Sequence, residues 1–266
     1  MKSLTALPAR TFGRAPAPGA PTLVLLHGFT QTGKSWAPLA DLLAGYRLLA
    51  PDAPGHGAAS SVAADLWATA DLLAATLAAS GVEQANWAGY SMGGRMALHL
   101  ALSHPGRVAK LVLISTSAGI EDPGERAARR RADEALAQRI EEGGTDGLQD
   151  FLTGWLAQPL FATLPADRAG LGQRLANSPA GLASSLRLAG AGAAEPLWGR
   201  LHELGDRGVP VLLVAGELDR KYCDQAAAMA ARIGPSARTH VVPGAGHACH
   251  LERPEEVAGL ISRWLS

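Results

Sequence analysis

Covalent and ionic staples are scarce in this sequence. Only two cysteines occur among 266 residues, Cys223 and Cys249. That excludes a disulfide framework and a paired-cysteine metal knuckle. Charge is sparse and balanced, with 24 Lys+Arg against 24 Asp+Glu, so there is no basic footprint for nucleic acid and no patch for a membrane surface. Long apolar runs are missing too. The longest near the N-terminus covers residues 23–26, far short of a signal-peptide core or a membrane span. Internal repeats and low-complexity linkers are also absent, and a soluble cytoplasmic protein is the expectation. What the chain does have is length and a 47% hydrophobic fraction, enough for one sizeable core with room for an inserted subdomain.

Periodicity organises that core. Residues 1–20 are rich in Pro, Gly and Ala and leave room for one or two short edge strands. A β/α alternation follows, with strands expected at 22–26, 46–50, 84–88 and 110–115. Helices are expected at 35–44, 62–80 and 93–103. The 62–80 segment carries Leu66, Ala70, Leu73 and Leu77 on one 3.6-residue stripe. From about 118 to 204 no strand pattern occurs. Helices are expected there at 125–142 (closed by Gly143-Gly144), 146–157, 166–176 and 179–188. The alternation resumes with strands at 209–215 and 239–242 and helices at 222–233 and 254–265. Buried strands alternating with helices predict an α/β fold with a mostly parallel sheet covered on both faces. Residues 1–117 and 205–266 would form the core and 118–204 a helical cap over the strands' C-terminal edge.

The chemistry centres on Gly89-Tyr90-Ser91-Met92-Gly93. A buried strand feeds this G-x-S-x-G turn and a helix leaves it, the context that a strained nucleophile elbow requires. Ser91 is the candidate nucleophile, and the Met92 amide at the helix start is a donor for a developing oxyanion. Partners follow in the order acid, then histidine. Asp219 lies just past the strand ending in Gly216, with Glu217 as its rival. His247 follows Pro243-Gly244-Ala245-Gly246, with His250 as its rival. His247 would take the Ser91 proton, and Asp219 would fix the imidazole tautomer and stabilise its protonated form. The loop His27-Gly28-Phe29-Thr30 after the first strand would supply the second oxyanion donor, the Phe29 amide. His27, His99, His104, His202 and His240 read as structural. His247 and His250 lack a third ligand, so no metal and no cofactor is expected.

The arginines are less easily placed. Arg95 sits in the first turn of the helix after Ser91, where the macrodipole disfavours a cation. It either points to solvent or a neighbouring acid, or faces the pocket to bind an anion. Arg126, Arg129, Arg130 and Arg131 read either as a solvated helix face with i,i+4 partners or as a binding surface.

At this point the chain resembles the family of 2-succinyl-6-hydroxy-2,4-cyclohexadiene-1-carboxylate synthases, menaquinone-biosynthesis enzymes of the α/β-hydrolase superfamily. The likeness is carried by Gly89 through Arg95, by Glu125, Arg126, Arg129 and Asp133, and by Trp155 through Phe161. Gly181-Leu182-Ala183 with Leu186-Arg187, Pro196-Leu197-Trp198, His27-Gly28-Phe29-Thr30 with Trp36, and Gly246-His247 with His250, Glu252 and Pro254 agree as well. It spans roughly residues 21–266. Two departures stand out: Ser117-Ala118-Gly119-Ile120 replaces a Pro-Gly-Leu turn, and Leu156 replaces an aromatic after the tryptophan. The resemblance implies a lyase that eliminates pyruvate from a cyclohexene tricarboxylate, the triad serine acting as base on a ring proton. It also implies that Arg95, Arg129 and Arg174 clamp substrate carboxylates while Tyr90 and Trp155 line the pocket. A guanidinium's planar fork suits that task. The partner would be a small polycarboxylate, bound by a monomer or small homo-oligomer. The alternatives are a carboxylesterase or C–C bond hydrolase working through a Ser91 acyl-enzyme, and a non-catalytic binder that keeps the fold. Serine at the elbow argues against the dehalogenase and epoxide-hydrolase branches, which use aspartate there.

Overall fold

A computed structural model describes residues 5–12 and 19–266. Seven strands form one sheet: β1 (Ala9–Phe12), β2 (Thr22–Leu26), β3 (Arg47–Pro51), β4 (Ala85–Tyr90), β5 (Val108–Ile114), β6 (Val211–Gly216) and β7 (Ala237–Val242). Their order across the sheet is β1-β3-β2-β4-β5-β6-β7, antiparallel only between β1 and β3. Strands β2, β4 and β6 are buried at every residue, as expected for parallel strands with helices on both faces. The exposed residues of β1 suit an edge, and this is the strand that the ambiguous N-terminal segment left room for.

Side-chain alternation divides the core into two layers. Val24, Leu26, Trp87, Leu111, Leu113, Val211 and Leu213 point to one face, and Leu23, Leu25, Ala88, Tyr90, Val112, Ile114 and Val214 to the other. Of the helices, α1 (Ala37–Ala40) packs on the second face and α2 (Leu66–Ala79) and α3 (Met92–Ser103) on the first. Between β5 and β6 run α4 (Pro123–Leu156), α5 (Leu171–Arg174), α6 (Pro179–Ala189) and α7 (His202–Asp206). The chain then adds α8 (Arg220–Ile233) to the first face, and α9 (Cys249–Glu252) and α10 (Pro254–Leu265) to the second. Among the described residues, no helix is long and apolar enough to cross a membrane.

A third apolar cluster lies between α4 and α6, built from Ala137, Ile140, Leu148, Leu152, Leu182, Ala183 and Leu186, with Phe29 of the core packed against it. The helices after β5 therefore pack on one another and meet the sheet near the β2 loop. The two helices expected at 125–142 and 146–157 run together as α4, interrupted only at Gly144 (φ 57°, ψ −159°), a conformation that a residue with Cβ avoids.

Three expected helices are shorter. The 35–44 segment splits into 3-10 turns at Gly33–Trp36 and Asp41–Leu43 around α1. At 62–65 the chain is still non-helical, because the Asp65 carboxylate caps α2 by accepting from the Ala68 amide. Most of 166–176 is turns, with helix only at α5, which starts after left-handed Gly170. There the backbone bends to deliver the Arg174 side chain into the core, where it is 2% exposed.

Leu98 is fully buried between α3 and its neighbours. Leu98→Ala is expected to cost about 2–5 kcal/mol of stability through lost transfer energy and a residual cavity. Urea denaturation with an unchanged m-value checks this.

Candidate active site

The three residues that the sequence spread over 156 positions meet at the C-terminal edge of β4, β6 and β7. His247 Nδ1 lies 2.6 Å from Asp219 Oδ2, and His247 Nε2 lies 3.2 Å from Ser91 Oγ. Asp219 and His247 are buried, at 8% and 2% exposure. The imidazole Nδ1–H donates to the carboxylate, which leaves Nε2 to accept from the serine hydroxyl. Aromatic rings enclose that imidazole: Tyr222 at 4.6 Å, Tyr90 at 5.4 Å and Phe161 at 6.1 Å between centroids.

Ser91 owes its exposure to strain. Its φ is 51° with ψ −109°, a left-handed conformation rare for a residue with Cβ. The turn is held by its flanking partners. The Ser91 amide donates to the Ile114 carbonyl at 2.9 Å, and the Thr116 hydroxyl donates to the Ser91 carbonyl at 2.7 Å. A Cβ on Gly93 would run into the Leu26 carbonyl, so only glycine lets α3 pass this close to β2. The Met92 amide opens α3 without an intrahelical acceptor. In the β2 loop, Gly28 N–H donates to Gln31 Oε1 (3.0 Å) and Thr30 N–H to His56 Nε2 (3.2 Å). The Phe29 amide lies between these two engaged neighbours, and Phe29 and Met92 both line the cavity above Ser91.

The rivals stand elsewhere. Glu217 accepts from the Gly244 amide at the surface. His250 is sandwiched between Tyr90 (4.2 Å) and Trp36 (4.9 Å), and burial pushes its pKa down to about 3. His27 receives the Ala53 amide on Nε2 and donates from Nδ1 to the Gly28 carbonyl. His56 is fully buried, and its pKa is also pushed down to about 3, mainly by desolvation. These are neutral loop-bracing histidines.

Above the serine lies a cavity of about 410 Å³, lined by Tyr90, Trp155, Arg95, Arg129 and Arg174 among others. The sequence-derived residues therefore converge on one chamber. Arg95 places one Nη on the Ala189 carbonyl (3.1 Å) and leaves its buried Nε without a partner. Arg174 donates to the Ala169 and Phe29 carbonyls and to the Thr30 hydroxyl. Desolvation lowers the pKa of both, that of Arg174 to about 10, which leaves Arg174 charged at neutral pH. Neither has an ion-pair partner among the described residues. Arg129 differs: its Nε meets Asp133 Oδ1 at 2.7 Å, and that buried carboxylate also accepts the Gly192 amide. Arg129 thus has the i,i+4 partner that the sequence allowed for and also lines the cavity.

Sequence reasoning missed Tyr222, Phe161, Asn177 and Arg139. Tyr222 follows Asp219 by three residues in the first turn of α8, a spacing that places it beside the acid. Asn177 ties the Thr30 carbonyl to the Gly57 amide across 2.7 and 2.9 Å. No local pattern marks it.

The model of the α/β-hydrolase fold family matches residues 21–254. A Bacillus subtilis (strain 168) protein is 37% identical over 263 residues, covering 92% of this chain and 90% of its own, and carries the name 2-succinyl-6-hydroxy-2,4-cyclohexadiene-1-carboxylate synthase provisionally. The Enterobacter sp. (strain 638) protein of that name is 32% identical over 255 residues, covering 95% of this chain and 94% of its own. Among solved structures, MenH from S. aureus superposes with a TM-score of 0.86 at 30% identity over 98% of both chains.

Ser91→Ala is expected to lower kcat/KM at least about a thousandfold without loss of fold, measured by steady-state kinetics beside circular dichroism. His56 and His250 generate a pH prediction. Each is held neutral when folded, with a pKa near 3, against 6.5 when unfolded. Between these values the unfolded chain binds more protons, so stability falls as pH drops below about 6.5 by about 1.4 kcal/mol per pH unit per histidine. Urea titrations at pH 7 and pH 5 check this, and His250→Gln should remove about one proton from the slope.

Proposed function

The chain belongs to the 2-succinyl-6-hydroxy-2,4-cyclohexadiene-1-carboxylate synthase family of α/β-hydrolase-fold enzymes, and from that premise we propose how it works as a carbon–oxygen lyase. The substrate is 2-succinyl-5-enolpyruvyl-6-hydroxy-3-cyclohexene-1-carboxylate, which loses pyruvate to give the 2,4-cyclohexadiene. The proton at ring carbon 2 lies α to the succinyl ketone and is the acidic one. His247 takes the Ser91 hydroxyl proton, and Ser91 Oγ takes the carbon proton. The ketone oxygen gains charge as the enolate forms, and the Met92 and Phe29 amides receive it. Collapse of the extended enolate moves the ring double bond and breaks the bond from carbon 5 to oxygen. The leaving oxygen departs as the enol form of pyruvate, and the proton held by the triad balances it.

The observation that carries this reading is unpaired positive charge under the cap. Arg95 and Arg174 are desolvated guanidiniums with no carboxylate of their own, beside Ser91. Removing such charges from water costs free energy unless an anion arrives to pair with them. A neutral ester would leave them unpaired, whereas a tricarboxylate pairs with them. Arg129, Tyr90 and Trp155 complete the walls.

The same elbow, imidazole and amide pair would also support an acyl-enzyme, so ester hydrolysis is the reading to set against this one. Purified protein is expected to release pyruvate from the precursor and to turn over p-nitrophenyl esters poorly. Strong ester turnover without pyruvate release would overturn the lyase. Arg95→Ala is expected to lower kcat/KM about 10- to 100-fold, the scale of one charge-assisted hydrogen-bonded contact. An unchanged kcat/KM would remove the carboxylate clamp.

A further inference from the structure

The charge balance of the cavity does not close on the three arginines above. A tricarboxylate brings three negative charges. Arg95 and Arg174 supply two uncompensated cations, but Arg129 arrives already paired with Asp133 at 2.7 Å. That buried aspartate cannot swing away cheaply, because it also holds the Gly192 amide. One more free cation is required, and the cavity wall contains it. Arg139 lines the same chamber from α4, ten residues beyond Arg129 and therefore about 15 Å further along the helix axis.

Arg139 is exposed and forms no ion pair among the described residues. On α4, Glu134 and Glu141 are taken by Arg187, which binds them at 2.9 and 2.6 Å, and Glu142, three residues beyond Arg139, forms no ion pair with it. Its charge is therefore available at the mouth. Between Arg129 and Arg139 the same helix offers Ala132 and Leu136 to the cavity. Beyond the Arg129–Asp133 pair, Arg139 thus brings a further cation to this wall, with Ala132 and Leu136 supplying apolar surface for a carbon skeleton.

Resting on the synthase reading for the substrate's identity, we infer that Arg139 binds the terminal carboxylate of the succinyl arm and sets the enzyme's preference for substrates that carry it. The other two carboxylates fall to the buried pair, Arg95 and Arg174. At a solvated rim the contact works as a point charge rather than a rigid fork, so lysine substitutes for it.

Calorimetry with two stable ligands tests this. 2-Succinylbenzoate has the ring carboxylate, the ketone and the arm's carboxylate; 2-acetylbenzoate lacks the last together with one methylene of the arm. Wild type should bind the first more tightly. Arg139→Ala should weaken 2-succinylbenzoate by about five- to tenfold, a loss of about 1–1.4 kcal/mol, and leave 2-acetylbenzoate within about twofold. Arg139→Lys should recover most of the loss. With the precursor, Arg139→Ala should raise KM and leave kcat unchanged. The inference fails if wild type binds both ligands equally, if Arg139→Ala binds both as wild type does or loses both alike, or if lysine rescues nothing. Absence of pyruvate release by wild type would overturn the reaction but not the calorimetric result. Normal pyruvate release with an unaffected Arg139→Ala variant would overturn only the arm-binding role.

Discussion

Ser91 must hold a left-handed backbone at the junction of β4 and α3, and the surrounding residues serve that requirement. The elbow works only if α3 passes within contact of β2, which demands glycine at position 93. It also demands that the carbonyl and amide of Ser91 be tied to Thr116 and Ile114, so the β5 end braces the β4 end. Strain of one to a few kcal/mol at such a residue persists because a rigid parallel sheet over-determines it. In return the serine oxygen stands clear of the sheet, at a helix N-terminus and 3.2 Å from an imidazole. The three strand ends that carry Ser91, Asp219 and His247 are kept in register by the same hydrogen-bonded sheet, so the constellation is already ordered in the folded chain.

On the proposed reading, selectivity comes from the helices inserted between β5 and β6. These helices cover a chamber in which two guanidiniums have lost water without gaining a carboxylate. Buried charges without a partner are unfavourable and gain stability when an anion pairs with them, which is the basis of the recognition proposed above. Burial lowers the pKa of Arg174 to about 10, so that guanidinium is still charged at pH 7. The rings of Tyr90, Tyr222 and Phe161 pack around His247, which is buried at 2% exposure.

The sheet and the triad were legible in the sequence because both rest on local signals: buried β runs, a glycine-framed turn, and loops with Gly at strand ends. Among the arginines, Arg95 was legible as an anomaly, Arg129 as one of a basic helix face, and Arg174 only through the family resemblance. Arg95 violates the helix-dipole preference, and the structure places it in the wall of the cavity above Ser91. Other features rest on tertiary override. Residues 166–176 have helical composition, yet the chain forms turns so that Arg174 can reach Thr30 and the Phe29 carbonyl. The Asp65 cap moved a helix start because a side-chain carboxylate outbid Val62 and Ala63 for the role of first turn. Asn177 and Arg139 carry no local signature at all. Asn177 is defined by two loops 120 and 147 residues away, and Arg139 by the partners that its neighbours have already taken.

The central claim is that Ser91, with the elbow of a hydrolase, takes a proton from carbon. A single-turnover comparison of the precursor bearing hydrogen or deuterium at ring carbon 2 tests it most directly. The account predicts that deuterium slows pyruvate release several-fold in the wild-type enzyme. Equal rates for the two isotopologues, with a mass adduct trapped on Ser91, would contradict it.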